Sequence, residues 1–91
     1  MAYRIEFSRT ADRVLRKLDK PVAKRILDAL EEISHLDDPR SQGKALTGNL
    51  ARLWSYRVGE YSITCAIDSG RLAVFVVDLG HRREIYQRLS F

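Results

Sequence analysis

Residues Leu72–Val77 read LAVFVV, six consecutive positions without a polar side chain in a chain of 91 residues. A strand with one face in water alternates apolar and polar residues. An unbroken apolar run of this length, bounded by Ser69-Gly70 and Gly80, is therefore expected to be a central strand covered on both faces. In so short a chain the rest of the sequence must supply that cover, so one domain spanning residues 1–91 is expected.

The first forty residues carry helical spacing. Arg4–Phe7 alternates briefly and predicts a short strand. Ala11, Val14, Leu15 and Leu18 then recur at helical intervals, with Ser8 or Thr10 available as a cap. Asp19-Lys-Pro breaks that helix, and Pro21 suits the first turn of a second one. Val22, Ile26, Ala29, Leu30 and Ile33 line one face of it, and the stretch Asp37–Arg40 ends it.

After residue 50 the period becomes two. Leu53–Val58, the dipeptide Gly59-Glu60 and Tyr61–Ile67 read as a hairpin with a two-residue turn. That turn pairs Val58 with Tyr61, Arg57 with Ser62, Tyr56 with Ile63 and Ser55 with Thr64. A second two-residue turn at Ser69-Gly70 would pair Ile63 with Val76, Thr64 with Phe75 and Ser62 with Val77. One face then carries Trp54, Tyr56, Val58, Ile63, Cys65, Ile67, Val74 and Val76, for the helices to cover. The other carries Ser55, Arg57, Ser62, Thr64, Phe75 and Val77 and is expected to stay open. The expected fold is thus α+β. A short N-terminal strand and a helical hairpin pack on a small antiparallel sheet of three or four strands, and a short C-terminal helix follows Gly80.

Several chemistries find no footing. Cys65 is the single cysteine, so no internal disulfide or cysteine-based zinc site is expected. His35 and His81 lack further ligands at metal-binding spacing, and no glycine-rich loop suits a nucleotide cofactor, so neither metal nor cofactor is expected. No leader segment or membrane span is read, and a reducing cytoplasm is the expected location. Sixteen basic residues against twelve acidic ones give a net charge of +4, and twelve of the sixteen are arginine. Arginine grips phosphate with a planar fork, so this bias favours a nucleic acid or an acidic partner.

The stretch GHRREIYQR (Gly80–Arg88) concentrates that character where the apolar strand ends. RNA can be cut without metal, because its own 2′-hydroxyl can attack the adjacent phosphorus. The protein must then supply a base, cations for the phosphorane charge and an acid for the departing 5′-oxygen. Arg57, Arg82, His81 and Tyr86 are the candidate catalytic residues. Lys44, Arg52 and Arg83 complete the basic set, and Phe75 is a candidate aromatic platform for a displaced nucleotide.

The segments MAYRIEF, RVLRKLDKPVAKRILDAL, KALTGNLARLWSYRVGEYSITCAI and AVFVVDLGHRREIYQR resemble the RelE/ParE superfamily of bacterial toxins nearly end to end. Within it, LWSYRVGEY and GHRREIY are most similar to the RelE-like messenger RNA interferases. The resemblance implies two helices against an antiparallel sheet and cleavage of messenger RNA on the ribosome. It also implies neutralisation by a cognate RelB-like antitoxin, with operator DNA reached only through that complex. By position, Arg57 and Arg82 match arginines linked to the scissile phosphate, Tyr86 a tyrosine linked to proton transfer, and Lys44 and Arg52 the RNA-gripping region. The family pattern places arginine where Ser62 stands, and often a basic residue where Ser55 stands. Two missing cations imply weakened cleavage, since one lost transition-state contact costs on the order of 10²–10³ in rate. Two other functions are compatible with the resemblance: a ParE-like, non-enzymatic gyrase inhibitor, and a catalytically weakened homologue acting as a binding partner.

Overall fold

The computed structural model describes the backbone of residues 2–89 and the side chains of residues 2–85. The elements are β1 (Arg4–Phe7), α1 (Arg9–Lys17), α2 (Lys20–Ser34), β2 (Lys44–Ala45), β3 (Leu53–Val58), β4 (Tyr61–Asp68), β5 (Ala73–His81) and α3 (Arg82–Leu89). They form one five-stranded sheet in the order β1-β5-β4-β3-β2. The apolar run lies on β5, interior to the sheet as its composition requires.

Two features of the sheet differ from the sequence expectation. The stretch around Gly43 and Lys44 contributes a fifth strand, β2, antiparallel to β3. The pairing of β1 with β5 is parallel, so the sheet is mixed. Such a pair needs a long crossover. Here everything between the two strands serves as that connection, and period-two patterning carries no sign of direction.

Ser8 ties α1 to this frame. Its hydroxyl accepts from the Ala11 N–H as a helix cap and donates to the Val77 carbonyl on β5. Pro21 stands in the first turn of α2 as expected. Ala11, Ile26, Leu30 and Ile33 of the two helices meet Tyr56, Ile63, Cys65, Val74, Val76 and Leu79 of the sheet in one buried cluster.

The β3–β4 register is the expected one: Val58 opposes Tyr61, Arg57 opposes Ser62 and Ser55 opposes Thr64. The β4–β5 register is not. Asp68 pairs with Ala73, so the loop holds four residues, Ser69–Leu72, rather than two. A β-bulge follows, because Cys65 pairs with Val76 while Thr64 pairs with Asp78, leaving Val77 unpaired. The longer loop slides the partner by two residues, which preserves the faces. The bulge inserts one more, and puts Asp78 instead of Val77 on the face of Thr64.

That second face is not open at its centre. Ser62, Thr64 and Asp78 are buried, at 4%, 0% and 6% exposure. The helices α1 and α2 occupy the opposite face, whereas α3 packs against β4 and β5 and buries Ile85. Arg57 and Phe75 stay exposed, and Ser55 is half-buried.

Burial also makes the core sensitive to alkali. Desolvation pushes the Cys65 thiol from 9.0 up to about 12. It likewise pushes the Tyr56 phenol well above its ordinary 10.0, helped by the nearby Cys65 and Asp38 and opposed by Arg40. The unfolded chain ionises both groups at their ordinary values, and the folded chain does not. Stability is therefore expected to be full below pH about 9 and to fall as pH rises beyond it. The slope reaches about 1.4 kcal/mol per pH unit for each group titrating only in the unfolded state. Denaturant midpoints measured from pH 8 to 11 check this, and Tyr56→Phe should remove the share that begins near pH 10.

Candidate active site

The site is assembled where β5 runs into α3. Across the sheet, Arg57, Ser62 and Gly80 form one row, on β3, β4 and β5. Neighbouring strands lie about 4.8 Å apart, so Gly80 stands about 10 Å from Arg57. Arg82 follows two residues later at the start of α3, and two long guanidinium side chains can converge over that span. Lys44 opposes Ser55, the neighbour of Arg57 on the same face of β3. The cation absent at Ser55 is thus replaced from the adjoining strand, which no spacing in the sequence reveals. Ser62 has Arg57 opposite it on β3 and Gly80 on β5, and its burial leaves little room for an arginine of its own.

Arg82 is fixed by its backbone. Its N–H donates to the Glu60 carbonyl at 2.9 Å, so the tip of the β3–β4 hairpin holds the first residue of α3. The turn depends on Gly59, which has a φ of +58°. The Arg82 Nε is enclosed and meets no acceptor among the described residues. Arg82, Arg83 and His81, together with Glu60, line an open cleft of about 520 Å³. His81 Nε2 lies 3.4 Å from Glu60 Oε2, and its ring meets Tyr61 edge-on at 5.9 Å.

Ion pairs neutralise only some of the cations. Arg16, Lys24, Arg40 and Arg71 each have a carboxylate partner. Lys44, Arg52, Arg57, Arg82 and Arg83 have none among the described residues, and neither do Arg4, Arg9, Arg13, Lys17, Lys20 and Arg25 on β1 and the first two helices. Unneutralised cations in such number on a basic chain make a field that attracts a polyanion, and Arg82 and Arg83 bring it to the cleft.

The other candidates fall elsewhere. Arg52 is exposed in the turn leading into β3, with a φ of 81° that few side chains adopt. Phe75 is 41% exposed, but it shares a row with Ala66 and Leu53. That row lies four residues along β3 from Arg57, about 13 Å away. The structure therefore removes Phe75 from the cleft, because the four-residue loop slides it toward the far end of the sheet. The Tyr86 side chain lies outside the described residues; its backbone belongs to α3. Sequence reasoning missed Glu60 and Tyr61 as contacts of His81. The turn dipeptide was legible, but its neighbour across β4 and β5 depends on the bulged register.

Comparison with known proteins places this geometry. Residues 5–86 match the family model described as the ParE toxin of the type II toxin-antitoxin system, parDE. The chain belongs to the RelE/ParE toxin superfamily. Toxin RelG of Mycobacterium tuberculosis is 36% identical to it over 91 residues, 97% of this chain and 100% of the relative. The toxin–antitoxin complex RelBE2 of the same organism contains a chain that superposes with a TM-score of 0.81 at 29% identity, over 90% of this toxin and 93% of that chain. A mutant of the E. coli toxin RelE in the free state shares the fold, with a TM-score of 0.76 at 24% identity over 96% and 93% of the two chains. The α+β architecture is the one these toxins have, and this protein is a toxin of a type II toxin–antitoxin system.

Proposed function

We propose that this toxin is a metal-independent endoribonuclease that cleaves messenger RNA on the ribosome and so inhibits translation. The observation that carries the reading is the enclosed Arg82 Nε, which has no acceptor among the described residues and belongs to a residue that lines the cleft with His81 and Arg83. A donor of this kind, desolvated and unpaired, gains most from an anion that arrives with its charge.

The chemistry follows from RNA itself. A base removes the proton of the 2′-hydroxyl, the oxygen attacks phosphorus, and an acid protonates the departing 5′-oxygen. Arg57 and Arg82 stabilise the charge on the pentacoordinate phosphorus. His81 and Tyr86 are the proton carriers, and Lys44, Arg52 and Arg83 hold the backbone. The toxin acts in the cytoplasm. Its partner is a cognate RelB-like antitoxin, a reading supported by the complexes that similar toxins form, and it reaches operator DNA only through that complex.

Purified toxin added to translating ribosomes is expected to cut messenger RNA, leaving a 2′,3′-cyclic phosphate on one side and a free 5′-hydroxyl on the other. Intact messenger at high toxin concentration would overturn the enzymatic reading. A gyrase-inhibiting toxin is the second reading, favoured by the parDE description of the matching family. A supercoiling assay run beside the ribosome assay separates the two.

A further inference from the structure

Glu60 is the one carboxylate among the residues lining the cationic cleft, and it stands against His81 rather than Arg57 or Arg82. Its side chain is 84% exposed and has a single polar contact among the described residues, the 3.4 Å approach to His81 Nε2. An exposed pair of this kind is held weakly. Meanwhile the Glu60 carbonyl fixes Arg82 through the backbone, so the residue cannot drift from the cleft even when its carboxylate swings away. Arg25 of α2 lies close to Gly59 in the same turn, but no ion pair joins it to Glu60 among the described residues.

We propose that Glu60 is an internal competitor for the phosphate position. In the free toxin its carboxylate sits on His81 where a phosphate oxygen belongs, and it must leave when RNA docks. This rests on the reading of the cleft as a phosphate site, and it names Glu60 as a specificity-determining residue of that site. An isolated phosphate has to displace the carboxylate on the strength of the cleft's own His81, Arg82 and Arg83 alone. A continuous strand also engages Lys44 and Arg57 and displaces it readily. Glu60 therefore biases the toxin toward a polymer backbone over small phosphates.

The test is a titration of the folded toxin with inorganic phosphate, followed by the backbone amide shifts of His81, Arg82 and Arg83. Glu60→Gln keeps the backbone acceptor and nearly the same shape. It is expected to lower the phosphate Kd at least about fivefold, the factor a unit charge about 4 Å away exerts even in bulk water. In a His81→Asn background the same change should gain clearly less. Equal or weaker phosphate binding by Glu60→Gln overturns the proposal, as does a gain undiminished by His81→Asn. The titration uses neither ribosomes nor cleavage. A toxin that binds phosphate more tightly as Glu60→Gln but leaves messenger intact keeps the competitor and loses the nuclease. One that cuts messenger with unchanged phosphate binding does the reverse.

Discussion

Arg82→Ala is expected to lower ribosome-dependent messenger cleavage by on the order of 10²–10³ with the fold intact, the usual loss when one transition-state charge contact is removed. Its N–H bond to Glu60 is a backbone contact and survives the substitution, and no side-chain ion pair is lost among the described residues. The enclosed Nε meets no acceptor among the described residues, so a ligand stands to gain from it. Arg82→Lys retains the charge but not the planar fork, and should recover only part of the rate. Single-turnover cleavage on stalled ribosomes measures both variants, with thermal unfolding as the control. Full activity in Arg82→Ala would remove Arg82 from the chemistry. The same substitution in Arg83, which is exposed on the first turn of α3, should weaken RNA binding far more than the chemical step.

The second large effect is structural. Tyr56→Ala is expected to cost about 3–5 kcal/mol, the range for truncating a buried aromatic ring. The ring is 4% exposed, and its hydroxyl donates to the Pro39 carbonyl at 2.7 Å. Gly43 lies so close that an added Cβ would stand 2.9 Å from the ring. Tyr56 therefore latches the segment from Pro39 to Ala45 onto β3, and with it the strand that carries Lys44. Tyr56→Phe removes only the hydrogen bond and should cost about 0.5–1.5 kcal/mol. Urea unfolding of the three proteins checks this ladder. If Tyr56→Ala stays within about 1 kcal/mol of the parent, the latch does not exist. If it exists, Tyr56→Ala should also weaken RNA binding, because Lys44 loses its place beside Ser55.

Much of the site was legible before any tertiary contact was known. The pairing of Arg57 with Ser62 follows from a two-residue turn at Gly59-Glu60, since so short a loop permits little slippage. The faces of β3 and β4 follow from that register. Arg82 at the end of β5 is marked by the change from an apolar run to GHRRE. Lys44 beside Ser55 was not legible, because β2 holds two residues and no periodicity can be read from two. The sequence expectation placed Phe75 opposite Thr64, and the structure moves it away. Arg71 N–H bonds to the Asp68 side chain and Leu72 takes a φ of 52°, and this four-residue loop displaces the aromatic row.

The buried polar row is the sharpest case. Ser62 and Thr64 were expected to face open surface, because two helices can cover only one side of a sheet. The helix α3 packs against β4 and β5 and buries Ile85, and it is too short for its packing face to be read from residue spacing. Thr64 Oγ1 has no hydrogen-bond partner among the described residues. Asp78 sits beside it only because the bulge at Val77 turns that carboxylate inward.

From its residues alone this chain determines its longer helices and strands, which way the first hairpin pairs, and that cations gather after the apolar strand. Those are local matters of period, turn chemistry and charge. Tertiary structure alone decides that β1 runs parallel to β5, that a bulge redirects Asp78, that α3 packs against β4 and β5, and that Glu60 meets His81. Each of these depends on how distant segments share the limited surface of one small sheet, and no short-range pattern encodes that competition.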